Sequence, residues 1–278
     1  ERVAAAAGDD LTVLDVSLEA NREGLLRALA AGARVTWFDH HYAGEIPTHA
    51  HFEAHIDTAP QVCTSLLVDR HLGGAQRAWA VAAAFGDNLE ETARRLAGTD
   101  FSAAQTEALR ALGEALNYNA YGESEADLRF SPAALYRVLL GYGNPFAFMA
   151  DSPAFEELRA GFGEDLSLAE AVQPLEADAR GAVYVLPDAA WSRRVSGAFA
   201  NRLARAQPER ACAVLTHRPG GGFVVSVRER LARPVGADTL CRRFAGGGGR
   251  KAAAGINHLP EEALARFVAA FRTTQWGM

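Results

Sequence analysis

Asp39, His40 and His41 follow directly on Arg34 to Phe38, a run of the kind that forms a buried strand. One carboxylate and two imidazoles at the carboxyl tip of a strand are groups that bind a cation or move a proton. In open parallel sheets that tip borders the ligand crevice. A lone Asp or His at a strand end is commonly a turn residue, whereas three in succession point to a site. Asp15 lies near the end of another short apolar run, Leu11 to Val16, and Asp87 follows closely on Trp79 to Phe85. Asp87 has a competing role as cap of a helix starting near Leu89. Asp15, Asp39, His40, His41 and Asp87 make an oxygen-and-nitrogen set without thiolate, which suits Mn²⁺ better than Mg²⁺, Fe or Zn²⁺ and is unlike a structural zinc site. Two such cations about 3.5–4 Å apart, with Asp39 shared, would activate water and clamp a phosphoryl group in a hydrolytic displacement.

The elements that must position these groups read as α/β. Leu11 to Val16 has the pattern of a buried parallel strand, and Ser17 caps a helix with Leu18, Leu25, Leu26 and Leu29 on its apolar face, stopped at Gly32. The Arg34 to Phe38 strand closes a strand–helix–strand unit, so Asp15 and Asp39 fall at the same edge of neighbouring strands. Tyr42 to Pro60 reads as a loop, with His49 and His51 expected at the surface and His55 with Asp57 in a short extended segment that supports the site. Cys63 to Leu72 reads as a helix with Leu66, Leu67 and Leu72 buried, and Thr64 and Ser65 serve as caps or as ligand hydrogen-bonders. Trp79 to Phe85 is a buried helix, and residues 89–180 are mainly helical. Within them Asn117 to Gly122 is a polar aromatic break that lines a pocket or forms a turn.

From Gly181 the character is mixed: strands at Val183 to Leu186, Ala211 to Thr216 and Phe223 to Val227, and helices at Val195 to Ala206, Gly236 to Phe244 and Glu261 to Phe271. Pro219 to Gly222 marks a hairpin. Gly246 to Gly249, then Arg250 and Lys251, lack P-loop spacing but present backbone N–H groups and charge to an anion, with Arg228 and Arg230 nearby in sequence.

A chain of 278 residues predicts two domains, and 49% hydrophobic with 22% charged residues is ordinary for a globular protein. A net charge of −6 excludes broad attraction to long duplex nucleic acid. No apolar run approaches the roughly 18 residues of a membrane helix, and no secretory signal is visible. Cys63, Cys212 and Cys241 are scattered and odd in number, which predicts reduced thiols and a cytoplasmic location. The sequence begins at Glu1 and holds only Met149 and Met278, so a fragment lacking its first element is expected.

The segments LTVLDVS, WFDHH, AAFGDN, VSVRER and FAGGGGRKAAAG, in this order across nearly the whole chain, resemble the DHH phosphoesterase superfamily with a carboxyl-terminal DHHA1-type domain, in its oligoribonuclease- and exopolyphosphatase-like branch. The resemblance implies a parallel-sheet DHH metal-binding catalytic domain with a helical extension over 1–160, a helical connector over 161–180 and a smaller mixed α/β DHHA1 substrate domain over 181–278. It implies that Asp15, Asp39, His40 and Asp87 are metal ligands, with Asp39 bridging two Mn²⁺ in the complete chain and Mg²⁺ as the alternative ion. By the same resemblance Asp39, His40 and His41 are catalytic, His41 facing the scissile phosphate, and Arg228, Gly247, Gly248, Gly249 and Arg250 hold substrate. Two departures stand out. Nothing upstream of Asp15 matches the family's first motif, so weak or lost metal binding is expected if those ligands are absent from the protein. Arg250 stands where relatives often carry His, so no histidine-based role is implied there.

The expected activity is hydrolysis of phosphodiester bonds in short single-stranded oligonucleotides or small nucleotides, in a cleft between the two domains. Tyr118, Tyr121 and Phe223 favour a base-bearing substrate, because bases stack on aromatic rings. The alternatives are a pyrophosphate or short-polyphosphate hydrolase and a degenerate nucleotide-binding module. No membrane partner is expected, and assembly as a homodimer is left open.

Overall fold

A computed structural model describes residues 3–230 and 236–276. In chain order its elements are β1 (Asp10–Leu14), α1 (Leu18–Ala30), β2 (Arg34–Asp39), β3 (Phe52–Ile56), α2 (Thr64–His71), α3 (Arg77–Gly86), α4 (Glu90–Ala97), α5 (Ala103–Tyr118), α6 (Pro132–Leu139), α7 (Pro145–Asp151) and α8 (Pro153–Glu170). These are followed by β4 (Glu176–Ala177), β5 (Gly181–Leu186), α9 (Ala190–Ala206), β6 (Ala211–His217), β7 (Phe223–Arg228), α10 (Ala237–Cys241), β8 (Gly247–Gly249), β9 (Ala253–Leu259) and α11 (Leu264–Thr273). Two compact units divide the chain: Glu1–Glu114 with Tyr142–Ser152, and Ala115–Gly141 with Pro153–Met278. The fold is mixed α/β, as expected. The helix α8 runs unbroken through residues 160 and 161.

In the first unit β2 is the central strand of a parallel sheet ordered β1-β2-β3. Its alternating side chains serve both faces. Val35 and Trp37 pack with Leu18, Leu25 and Leu29 of α1, while Phe38 packs with Val62 and Leu67. Ser17 caps α1 by accepting from the Ala20 amide at 3.3 Å, as the sequence predicts. β1 departs from expectation. It is an edge strand with one neighbour, and Leu14 is half-exposed rather than buried. The small residues of α3 have a packing reason: a Cβ on Gly113 of α5 would stand 2.0 Å from the Ala82 carbonyl oxygen, so the two helices approach at backbone contact.

The second unit holds a mixed sheet ordered β4-β5-β6-β7-β9-β8, in which β5 and β6 are parallel and the remaining pairs antiparallel. Val183, Leu215, Val225 and Ile256 form its core with Leu240 of α10 and Phe267 and Phe271 of α11. The glycine run predicted as an anion-holding loop is largely strand. Gly247, Gly248 and Gly249 pair in register with Ile256, Gly255 and Ala254. A Cβ on Gly247 would meet the Cys241 carbonyl oxygen at 1.9 Å, which requires glycine there.

The Asn117–Gly122 break is a structural junction around Tyr118 and Asn119, with Tyr121 left exposed. Tyr118 is buried and donates its hydroxyl to Asp165, which also accepts from Arg129 (3.2 Å) and Arg194 (2.7 Å). Asn119 holds the backbone of Arg129 and Phe130 through its own amide. Arg193 grips Asp127 with two hydrogen bonds, at 2.9 and 2.8 Å, and holds its carboxyl down to about 2. A depressed carboxylate stabilises the fold above its unfolded pKa and loses that contribution as pH falls through the folded value. Asp127→Asn is therefore expected to cost about 1 kcal/mol at pH 7, after screening by solvent. In urea titrations the gap to wild type should close between about pH 4 and about pH 2.

Candidate metal centre

β2 delivers Asp39 to the end of the sheet with its side chain fully buried. One carboxylate oxygen, Oδ1, accepts from the His40 amide at 2.8 Å and from His41 Nδ1 at 2.7 Å. The other, Oδ2, is buried with no hydrogen-bond partner among the described residues. A buried, half-satisfied carboxylate is costly unless a cation stands beside it. The donor set therefore fits a metal ion on the evidence of this one oxygen.

Next to it in the chain and across the sheet end, Asp15, His40 and His41 form a donor cluster. His40 Nδ1 donates to the Val62 carbonyl at 2.8 Å, which leaves the lone pair on Nε2, 3.5 Å from Asp15 Oδ1. That is the arrangement of a metal-binding imidazole whose far nitrogen is anchored. Asp15 accepts from Thr64 Oγ1 at 2.6 Å. Its backbone is left-handed (φ 58°), a strained conformation for a residue with a side chain, and it is held by the Asp15 amide on the Phe38 carbonyl (3.0 Å). Trp37 Nε1 donates to the Val16 carbonyl at 2.8 Å and fixes the next turn of the same loop. Asp15, His40 and His41 bring one donor atom each to within 4.8 Å of one another.

Asp87 follows α3 as its C-cap, not as the cap of α4, whose N-cap is Leu89. The protein packed around Asp87 pushes its carboxyl above the usual range; Asp15 pushes the same way, and His40 and His41 oppose. Asp87 is thus within electrostatic reach of Asp15 and both imidazoles. It also lines a cleft of ≈ 330 Å³ with Asp15, Thr64, Ser65, Asp69 and Trp79. Burial raises the Cys63 thiol, as it does Cys212, to about 11, and Cys241, to about 12, so all three stay neutral and none offers a thiolate.

The groups expected to hold substrate lie in the second unit. Arg228, at the end of β7, is largely desolvated, which lowers its pKa, and donates to Asn201 Oδ1 at 2.6 Å. Arg228 pairs in register with Ala253, whose carbonyl accepts from the Arg250 amide on the other side (2.8 Å). Arg228 and Arg250 are therefore two strand spacings apart, roughly 10 Å. Arg230 is engaged by Glu209 (3.1 Å) and by the Trp276 carbonyl. Tyr118 and Phe223, expected as base platforms, are each 2% exposed, so neither can stack on a ligand. Tyr121 remains, exposed and close enough to act on the charge of Arg228.

Sequence reasoning left Thr64 between capping and ligand contact; it is not the cap of α2, whose N-cap is Cys63, and it orients Asp15 from within the same cleft. It missed the Val62 carbonyl, a backbone group with no residue signature. Mn²⁺ at 100 times its Kd is expected to stabilise the wild-type protein by about 2.7 kcal/mol. In thermal-melt measurements Asp39→Asn should remove that gain, while the surface variant Asp10→Asn keeps it.

No family model and no curated protein matches this sequence. Solved structures do match. An exonuclease RecJ bound to manganese is 19% identical over 95% of this chain and 74% of its own, with a TM-score of 0.54. A pGpG-specific phosphodiesterase, PggH from Vibrio cholerae, is 14% identical over 94% of this chain and 96% of its own, with a TM-score of 0.52. At these identities the likeness is one of architecture, and it extends over both units: the chain shares the fold of these two structures.

Proposed function

We infer that the protein is a divalent-metal-dependent phosphoesterase that hydrolyses phosphodiester bonds of small nucleotides or short oligonucleotides. The observation that carries this reading is the buried Asp39 carboxylate, with one oxygen unpartnered and the other bound to His41, which belongs to the Asp15–His40–His41 donor cluster. Asp15, Asp39, His40 and Asp87 would hold Mn²⁺ or a similar ion. Bound there, the ion supplies Lewis acidity and a water of lowered pKa.

The chain's own residues divide the remaining work. Asp39 Oδ1 keeps the proton on His41 Nδ1, so Nε2, on a half-exposed ring, faces outward to exchange a proton or donate to a phosphoryl oxygen. Thr64 and the Val62 carbonyl hold Asp15 and His40 in place before substrate arrives, which lowers the reorganisation needed for reaction. In the second unit Arg228 and Arg250 would hold a non-reacting phosphate, and binding energy collected there serves the chemical step. Residues 1–160 would then carry the catalytic domain and 181–278 the substrate domain, with 161–180 linking them. The similar structures are compatible with this: one was determined with manganese and the other acts on pGpG.

A specific observation favours a second reading, hydrolysis of a phosphoanhydride such as pyrophosphate. Burial of Tyr118 and Phe223 leaves Tyr121 to meet a base. A panel of a dinucleotide, a five-nucleotide RNA, adenosine 3′,5′-bisphosphate and pyrophosphate, with Mn²⁺, separates the two. We expect dinucleotide cleavage that His41→Ala lowers by about 10²–10⁴-fold in kcat. Tyr121→Ala should raise the dinucleotide KM by roughly tenfold, the worth of one stacked base. Turnover of pyrophosphate alone would establish the second reading, and nucleotide binding without turnover would contradict both.

A further inference from the structure

The geometry points to a second cation site, separate from the Asp39 centre, in which Glu53, His55 and His71 bind a Zn²⁺-like ion. Glu53 and His55 are two residues apart on β3, so the strand's alternation puts both on one face. His71 is the last residue of α2, and the packing of Leu67 on Phe38 brings it over that face. Donor atoms of the three lie within 4.8 Å of one another.

Three features separate this cluster from an ordinary surface ion pair. The His55 ring stacks on Phe38 (centroids 4.5 Å apart, planes 8° apart), and His71 meets both rings edge-on at 4.8 and 5.1 Å. An apolar floor therefore supports both imidazoles and keeps water from one side. Glu53 Oε1 comes to 2.8 Å of His55 Nε2, yet that nitrogen is buried without a hydrogen bond among the described residues. The approach lies off the N–H line, so the short contact is not a hydrogen bond and the buried nitrogen lacks one. His71 brings a third donor atom to within 4.8 Å of the other two, which a two-membered ion pair does not need. The fit also sets a demand. Bonds of about 2.0–2.1 Å in a tetrahedral site require donors roughly 3.4 Å apart. The exposed His71 and Glu53 side chains can close that gap by rotation.

Donor chemistry names the ion. Two imidazole nitrogens and one carboxylate, with water completing the shell, suit Zn²⁺, and nitrogen-rich sites hold Zn²⁺ more tightly than Mn²⁺. The Asp15–Asp39–Asp87 centre is richer in oxygen and suits the harder ion. A bound Zn²⁺ would tie the open edge strand β3 to the end of α2, so it should raise the melting temperature as well as bind.

The test is Zn²⁺ titration calorimetry on the chelator-treated full chain, in wild type, Asp15→Ala, His71→Ala and Asp15→Ala/His71→Ala. Asp15→Ala is expected to retain one Zn²⁺, and adding His71→Ala should weaken it at least about tenfold and abolish the Zn²⁺-dependent rise in melting temperature. Glu53→Gln should act in the same direction. No Zn²⁺ in folded Asp15→Ala, or an isotherm indifferent to His71→Ala, would overturn the proposal. Should Asp15→Ala fail to fold, the stoichiometry of His71→Ala decides: one Zn²⁺ fewer than wild type supports the site, and an equal number refutes it.

Discussion

A carboxylate taken wholly out of water at the end of a strand needs a positive partner for each oxygen, and Asp39 has partners for one. Much of the first unit is arranged around this imbalance. Trp37 packs the strand from one face and Phe38 from the other, so β2 cannot shift Asp39 outward without emptying both cores. The β1–α1 loop is tied to β2 by the Asp15 amide and by Trp37 Nε1, which places a second carboxylate nearby at the expense of a left-handed backbone. The Val62 carbonyl then decides which nitrogen of His40 is left to bind. Each of these contacts fixes a carboxylate or imidazole in place, so little rearrangement would be needed for a cation to meet them.

The second unit solves a different problem, that of holding charge on a sheet. Arg228 is held in a largely desolvated place by Asn201 and the Val227 carbonyl, and it shares a strand row with the Arg250 turn. The network of Asp165 with Tyr118, Arg129 and Arg194 ties α8 and α9 to the end of α5. Its guanidiniums are consumed by structure. Pairing with a buried carboxylate thus separates these structural arginines from Arg228, whose hydrogen bonds go to an amide oxygen and a carbonyl.

Much of this was legible in the sequence where the signal is local. The Asp39–His40–His41 run could be read because an apolar strand stops there abruptly, and α1 because Ser17 and Gly32 punctuate it. What was not legible depends on distant partners. Tyr118 reads as an accessible aromatic until Asp165, far along the chain, buries its hydroxyl. Gly247 to Gly249 have little preference for strand, and form one because β9 lies beside them. The exposure of Leu14 follows from strand order, which no short pattern encodes. His55 was expected to support the Asp39 centre, but its stacking on Phe38 turns it to Glu53 and His71.

The central claim is that the orphaned oxygen of Asp39 is a metal ligand. Diffraction from crystals soaked in Mn²⁺, recorded at the manganese absorption edge, tests it most directly. An anomalous peak within bonding distance of Asp39 Oδ2 and His40 Nε2 is the expected result. A peak elsewhere with Asp39 Oδ2 still unligated, or no peak in crystals soaked to saturation, would contradict it.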